Sequence, residues 1–104
     1  MSRYQFTPQA ADDLFEIWSF IALDSVEAAN RVEQAIYEAC SFVAEGPRRG
    51  QIREDLTKRP LRFWVVQRFP NYIIAYDPAT DPLQIIRILH GARNIRAILM
   101  EDSS

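Results

Sequence analysis

Ile85-Ile86-Arg87-Ile88-Leu89-His90-Gly91-Ala92-Arg93-Asn94-Ile95 is the stretch on which the fold turns. Its first half is an Ile/Leu run of the kind that makes a buried strand. The run stops at His-Gly-Ala-Arg. Gly91 can take a positive φ without a Cβ clash, and is expected to let the chain turn sharply. His90 and Arg93 are then expected at a strand end, where side chains face a partner rather than the core. Arg87 lies between Ile86 and Ile88 and is expected to point away from both. That leaves it exposed on the sheet face remote from any helices, or covered by a partner.

Upstream, Arg62-Phe63-Trp64-Val65-Val66-Gln67 is aromatic and β-branched, and Tyr72-Ile73-Ile74-Ala75-Tyr76 follows the turn signal Phe69-Pro70-Asn71. The segment Asp77-Pro78-Ala79-Thr80-Asp81-Pro82 is dense in turn residues and separates these runs from the last strand, Leu83 to Leu89. Three strands with short connections form an antiparallel meander. Phe63 and Trp64 are adjacent and face opposite sides of their strand. One of them is expected away from the helix-covered face, either as an interface aromatic or covered by the tail. Downstream, Ile95, Ile98 and Leu99 are spaced for one or two helical turns.

The other half of the chain reads as helix. Tyr4 and Phe6 alternate with polar residues in a short first strand. Thr7-Pro8 is a helix start, because Thr caps and Pro fits a first-turn position whose N–H would be unpaired anyway. Leu14, Ile17, Trp18 and Ile21 then make one apolar stripe, with Asp12, Asp13 and Glu16 mostly off it. Asp24 or Ser25 caps a second helix, whose stripe is Ala29, Val32, Ile36, Cys40 and Val43 and whose stop is Gly46-Pro47. So short a link makes the two helices an antiparallel hairpin. The fold class is α+β: a short N-terminal strand, a helix hairpin, a three-stranded antiparallel meander and a short C-terminal helix, in a single domain over residues 1–104.

Composition narrows the function. At 104 residues, 48% hydrophobic and 25% charged, the chain suits one globular domain. No apolar run approaches the roughly 20 residues that span a bilayer, and the first residues lack a signal-peptide stretch, so a cytoplasmic location is expected. The single cysteine, Cys40, and single histidine, His90, leave no metal site or cofactor expected. Cys40 is expected to be a buried structural thiol. The net charge is −2 but polarised. Residues 1–46 hold two basic and eight acidic residues, net −6; residues 47–104 hold ten and six, net +4. Such a chain can offer one face to a basic partner and another to an acidic one.

The polar connector 47–61 carries Arg48, Arg49, Arg53, Lys58 and Arg59, with Arg62 just beyond. This basic run is read as a patch for an acidic partner. With Trp64, the residues Arg48, Arg49, Arg53 and Arg62 form one candidate binding set. At the other end, Arg87, His90, Arg93 and Arg96 form a second. Arg93 and Arg96 are three apart and share a face if the tail is helical, where they could grip a carboxylate or phosphate bidentately.

Several patterns, taken in order, resemble the RelE/ParE toxin superfamily, and more its ParE branch. Asp13-Leu14 leading to Ile17 and Phe20-Ile21-Ala22 is like the family's "DL..I..YIA" helix. Pro47-Arg48-Arg49-Gly50 with Arg53-Glu54-Asp55-Leu56 is like its "P..G..R.DL" connector. Tyr72 to Tyr76 with Arg87-Ile88-Leu89-His90-Gly91-Ala92-Arg93-Asn94 is like its "Y.I.Y…R.LHGARD" end. The resemblance implies the toxin half of a type II toxin–antitoxin pair, held silent in a hetero-oligomer by a cognate antitoxin, of ribbon-helix-helix type with an acidic C-terminal segment.

Two activities follow from that resemblance. ParE-like members block DNA gyrase by binding it, with no catalysis and no direct nucleic-acid contact. RelE-like members cut mRNA on the ribosome, for which His90, Arg87 and Arg93 would be the catalytic set. RNA cleavage requires an acid or base and cations for the phosphorane charge. After His90 the tail holds no Tyr, His or Lys, and Gly91 stands where some nuclease members carry tyrosine. A net charge of −2 also suits RNA poorly. The gyrase reading is therefore preferred, with the ribonuclease and an inactive antitoxin-binding relative as alternatives.

Overall fold

The computed structural model describes residues 3–102, so Met1 and Ser2, part of the missing-signal-peptide expectation, lie outside the described residues. The elements are β1 (Tyr4–Phe6), α1 (Pro8–Ala22), α2 (Val26–Glu45), β2 (Arg62–Val65), β3 (Tyr72–Asp77), β4 (Leu83–His90) and α3 (Ile95–Asp102). This is the expected α+β order. Thr7 caps α1, its Oγ1 accepting the Ala10 N–H at 3.1 Å and donating to the Ile86 carbonyl at 2.8 Å. One side chain therefore starts the helix and ties it to the last strand. Ser25 rather than Asp24 caps α2, accepting the Ala28 N–H at 3.1 Å.

The sheet holds four strands in the order β1-β4-β3-β2. The three later strands form the expected antiparallel meander, and β1 joins it parallel to β4, with Tyr4 opposite Leu83 and Phe6 opposite Ile85. Short strand propensity showed that β1 exists, but its partner is set by the α1–α2 crossover that returns the chain to the sheet. A bulge interrupts the β3–β4 register: Ala75 faces Arg87 while Tyr76 faces Ile85, leaving Ile86 as the extra residue. Such an insertion breaks the two-residue alternation of side chains.

Both sheet faces are covered. On one, Leu14, Val32, Ile36, Cys40 and Val43 of the helices pack on Ile74, Tyr76, Ile85 and Ile88. On the other, Leu61, Phe63, Ala75 and Leu89 are closed over by Ile95 and Leu99 of α3. Of the two outcomes left open for the aromatic on the far face, cover by the tail is the one found, and no interface aromatic stands bare there. Phe63 is buried in the second cluster. Trp64 is half-buried on the helix side, its ring 5.1 Å from Phe42. The tail covers that second face as the short helix α3.

The connector is anchored by Tyr76. Its buried hydroxyl accepts the Gly50 N–H at 2.8 Å and donates to the Pro47 carbonyl at 2.7 Å. A Cβ on Gly50 would stand 2.5 Å from that oxygen and 2.9 Å from the Phe63 carbonyl oxygen, so only glycine fits there. Gln51 then pairs with Phe63 on the outer edge of β2.

Candidate functional site

The end of β4 and the turn after it form one wall of a groove of about 550 Å³; the other wall is α1, through Asp13, Glu16, Ile17 and Phe20. His90 closes β4. Its ring meets Tyr72 edge-on, with centroids 5.3 Å apart, and its Nδ1 accepts the Ala92 N–H at 3.0 Å. With Nδ1 taken as an acceptor, the neutral ring carries its proton on Nε2. The turn is completed by the Gly91 N–H donating to Asn71 O at 2.8 Å and the Arg93 N–H to His90 O at 3.0 Å.

Gly91 does not take the expected positive φ, and neither does any other glycine among the described residues. A Cβ there would meet nothing nearer than 3.6 Å. The sharp turn comes from the His90 imidazole and the Asn71 carbonyl, so the glycine signal was read for the wrong physical reason.

Arg87 is the larger correction. It was expected exposed, yet its side chain is only 17% exposed. Nε and Nη2 donate to the Asp13 carboxylate at 2.7 and 2.8 Å, and Nη1 donates to both oxygens of Asp102 at 3.0–3.1 Å. Those two carboxylates, Asp13 first, hold the guanidinium charged even more firmly than an ordinary arginine. The physical reason is the margin of the sheet. β1 ends opposite Ile85, so the outer edge of β4 beyond it lies open to α1. There the Asp13 carboxylate also takes the Ile88 N–H at 3.0 Å.

Arg93 and Arg96 are brought to different places. Asn94 caps α3, its Oδ1 accepting the Ala97 N–H at 3.2 Å, so Arg93 precedes the helix and lines the His90 groove. Arg96 is inside the first turn and opens on a second groove of about 540 Å³ with Glu54, Asp55, Lys58 and Met100. The Asp55 carboxyl is held below its ordinary range, mainly by Arg53 at 2.7 and 2.9 Å and in smaller part by Arg96. The expected shared helical face is therefore absent, because the capping residue falls between the two arginines.

Of the connector set, Arg48, Arg49, Arg62 and Trp64 lie by the β2 edge, while Arg53 is paired with Asp55. Arg49 lies 4.0 Å over the Phe42 ring, and its Nη1 donates to the Phe42 carbonyl at 2.7 Å. Trp64 packs on the same ring. Arg62 Nη1 donates to Gly50 O at 2.8 Å. Arg48 is exposed, with no partner for its guanidinium among the described residues. Sequence reasoning missed Asp13, Asp102, Tyr76 and Phe42. Asp13 sits at the border of the apolar stripe of α1, the one position that gave a signal. Among the described residues no group of three or more His, Cys, Asp or Glu side chains could hold a metal ion, and no helix is long and apolar enough to cross a membrane.

A helix hairpin on a four-stranded sheet, with a basic connector and an arginine-bearing turn after the last strand, is the build of a toxin of a type II toxin–antitoxin system. The family model described as "ParE toxin of type II toxin-antitoxin system, parDE" matches residues 4–95, and the chain belongs to that family. The toxin RelE2 of Caulobacter vibrioides is 36% identical over 93 residues, which cover 89% of this chain and 99% of that protein. Among solved structures, the chromosomal ParDE toxin–antitoxin system from P. aeruginosa matches with a TM-score of 0.69 at 23% identity, covering 86% of this chain and 96% of that one, a likeness of fold.

Proposed function

We propose that this toxin arrests growth by binding a protein, DNA gyrase, without catalysis, and that a ribbon-helix-helix antitoxin with an acidic tail neutralises it. The commitment of Arg87 to Asp13 and Asp102 is the observation that carries this reading. A ribonuclease needs cations free to meet phosphorane charge. Here one of the three candidate residues has spent its charge on two carboxylates, and Asp13 and Glu16 flank the groove beside His90. Arg93 alone of the arginines in that groove lacks an acidic partner among the described residues. The exposed cations of the connector, Arg48 foremost, beside half-buried Trp64, suit an acidic segment of an antitoxin.

The test is supercoiling of relaxed plasmid by gyrase, run beside an assay of transcript cleavage on translating ribosomes. The expected result is loss of supercoiling with transcripts intact, and a His90→Ala variant that still inhibits. Cleaved transcripts with supercoiling untouched would overturn the proposal.

A further inference from the structure

Four of the eight exposed large apolar side chains among the described residues fall between residues 15 and 26: Phe15 at 70%, Phe20 at 75%, Leu23 at 83% and Val26 at 54% exposed. A helix of a monomer normally turns such residues inward, and α1 does so with Ala10 and Leu14. Phe15 and Phe20 instead stand exposed on α1, Leu23 stands exposed at its C-cap, and Val26 opens α2 just past the turn. Scattered single apolar residues need no explanation, but a concentrated set marks a binding surface. The residues interleaved with them are Asp12, Glu16, Asp24 and Glu27, all exposed and without a basic partner among the described residues. No Lys, Arg or His occurs from residue 4 to residue 30.

We infer that the outward face of α1, with the α1–α2 turn, docks the protein that this toxin poisons, through a segment of that protein carrying apolar side chains among lysines and arginines. The inference rests on the reading that the toxin acts by binding a protein. Charge complementarity selects the occupant: an acidic antitoxin segment would meet four like charges here, whereas the basic connector on the β2 side would attract it. Position supports it too. Phe20 and Glu16 form the rim of the His90–Arg93 groove, so the α1 face continues the groove as one surface. Exposed aromatic anchors ringed by charge are the composition of an interface centre with its rim.

Two variants test this in the full chain. Phe15→Ser/Leu23→Ser removes the anchors, and Glu16→Lys/Asp24→Lys reverses the rim; all four positions are exposed, and thermal unfolding checks that each variant folds. The readouts are growth arrest on induction without antitoxin, gyrase supercoiling, and binding of the antitoxin encoded beside the toxin gene. The expected result is at least a tenfold loss of arrest in both variants, with antitoxin affinity within twofold of the parent. Unchanged arrest in the folded variants overturns the inference. So does an equal loss of antitoxin binding, which would make the face the antitoxin's. A parent chain that arrests growth yet leaves supercoiling untouched defeats the gyrase assignment alone, and the α1 face is still judged by arrest. A parent chain that does not arrest growth defeats both.

Discussion

The Asp13 carboxylate binds Arg87 through two hydrogen bonds, at 2.7 and 2.8 Å, although 74 residues separate them in the chain. The same carboxylate takes the Ile88 amide, and the same guanidinium holds Asp102 of α3. One ionic triad thus fastens α1, β4 and α3 together. Its side chains are 12–17% exposed, so water screens it far less than a surface pair.

Replacing Arg87 with Ala leaves two covered carboxylates without their cation. The expected loss of stability is about 3 kcal/mol, the cost of breaking a largely buried pair from one side. Asp102→Asn should cost less, because Asp13 keeps both of its hydrogen bonds to the guanidinium. Urea unfolding of the two variants measures the difference, and equal midpoints would refute the central role given to Asp13.

Tyr76→Phe removes the hydroxyl that both Gly50 and Pro47 use. A buried amide left unpaired costs about 1–3 kcal/mol. Gly50→Ala should destabilise by a different route, through the clash at 2.5 Å. Because both act on the connector, amide exchange around residues 47–51 should quicken in Tyr76→Phe more than exchange in α2.

Leu99 is 1% exposed beneath α3 and helps close the second cluster. Leu99→Ala should cost about 3 kcal/mol, within the range for a buried leucine. Deleting residues 95–102 should do worse, exposing Leu61, Phe63 and Leu89 together. The deleted chain is expected to bind a hydrophobic dye and to associate, which sedimentation would show.

Burial pushes the Cys40 thiol up from an ordinary value near 9 to about 12. The sign follows from linkage. Below pH 9 neither state ionises this thiol and its contribution to stability is whole. Between pH 9 and about 12 the unfolded chain gains a thiolate that the folded chain resists, so stability falls. Burial of Tyr76 and Tyr72 acts in the same direction from about pH 10 upward, where an unfolded tyrosine ionises. Denaturation at pH 8 and pH 10.5 should show a loss that is smaller in Cys40→Ala. A thiol reagent at pH 8 should label the native protein only as fast as it unfolds.

Much of this molecule was legible because its signals are local. Thr7-Pro8, Gly46-Pro47 and the stripes through Leu14 and Val32 place the helices within a residue or two, and β-branched runs place the strands. The parallel seat of β1 was not legible, since three residues carry no information about a partner nearly eighty positions away. Arg87 was misjudged because nothing in the spacing of Asp13 or Asp102 says that they meet over it. The same limit applied to Arg93 and Arg96, whose i, i+3 spacing means nothing until the helix start is known to fall at Asn94.

The pairing of β1 with β4 has a consequence for how the toxin comes into being. The first strand has no neighbour to hydrogen-bond until Leu83–Ile85 has been made. Contacts that span most of a polypeptide form late and slowly. The nascent chain therefore keeps its sheet open until β4 has been made. That delay leaves an interval in which an antitoxin could meet the chain before the sheet closes.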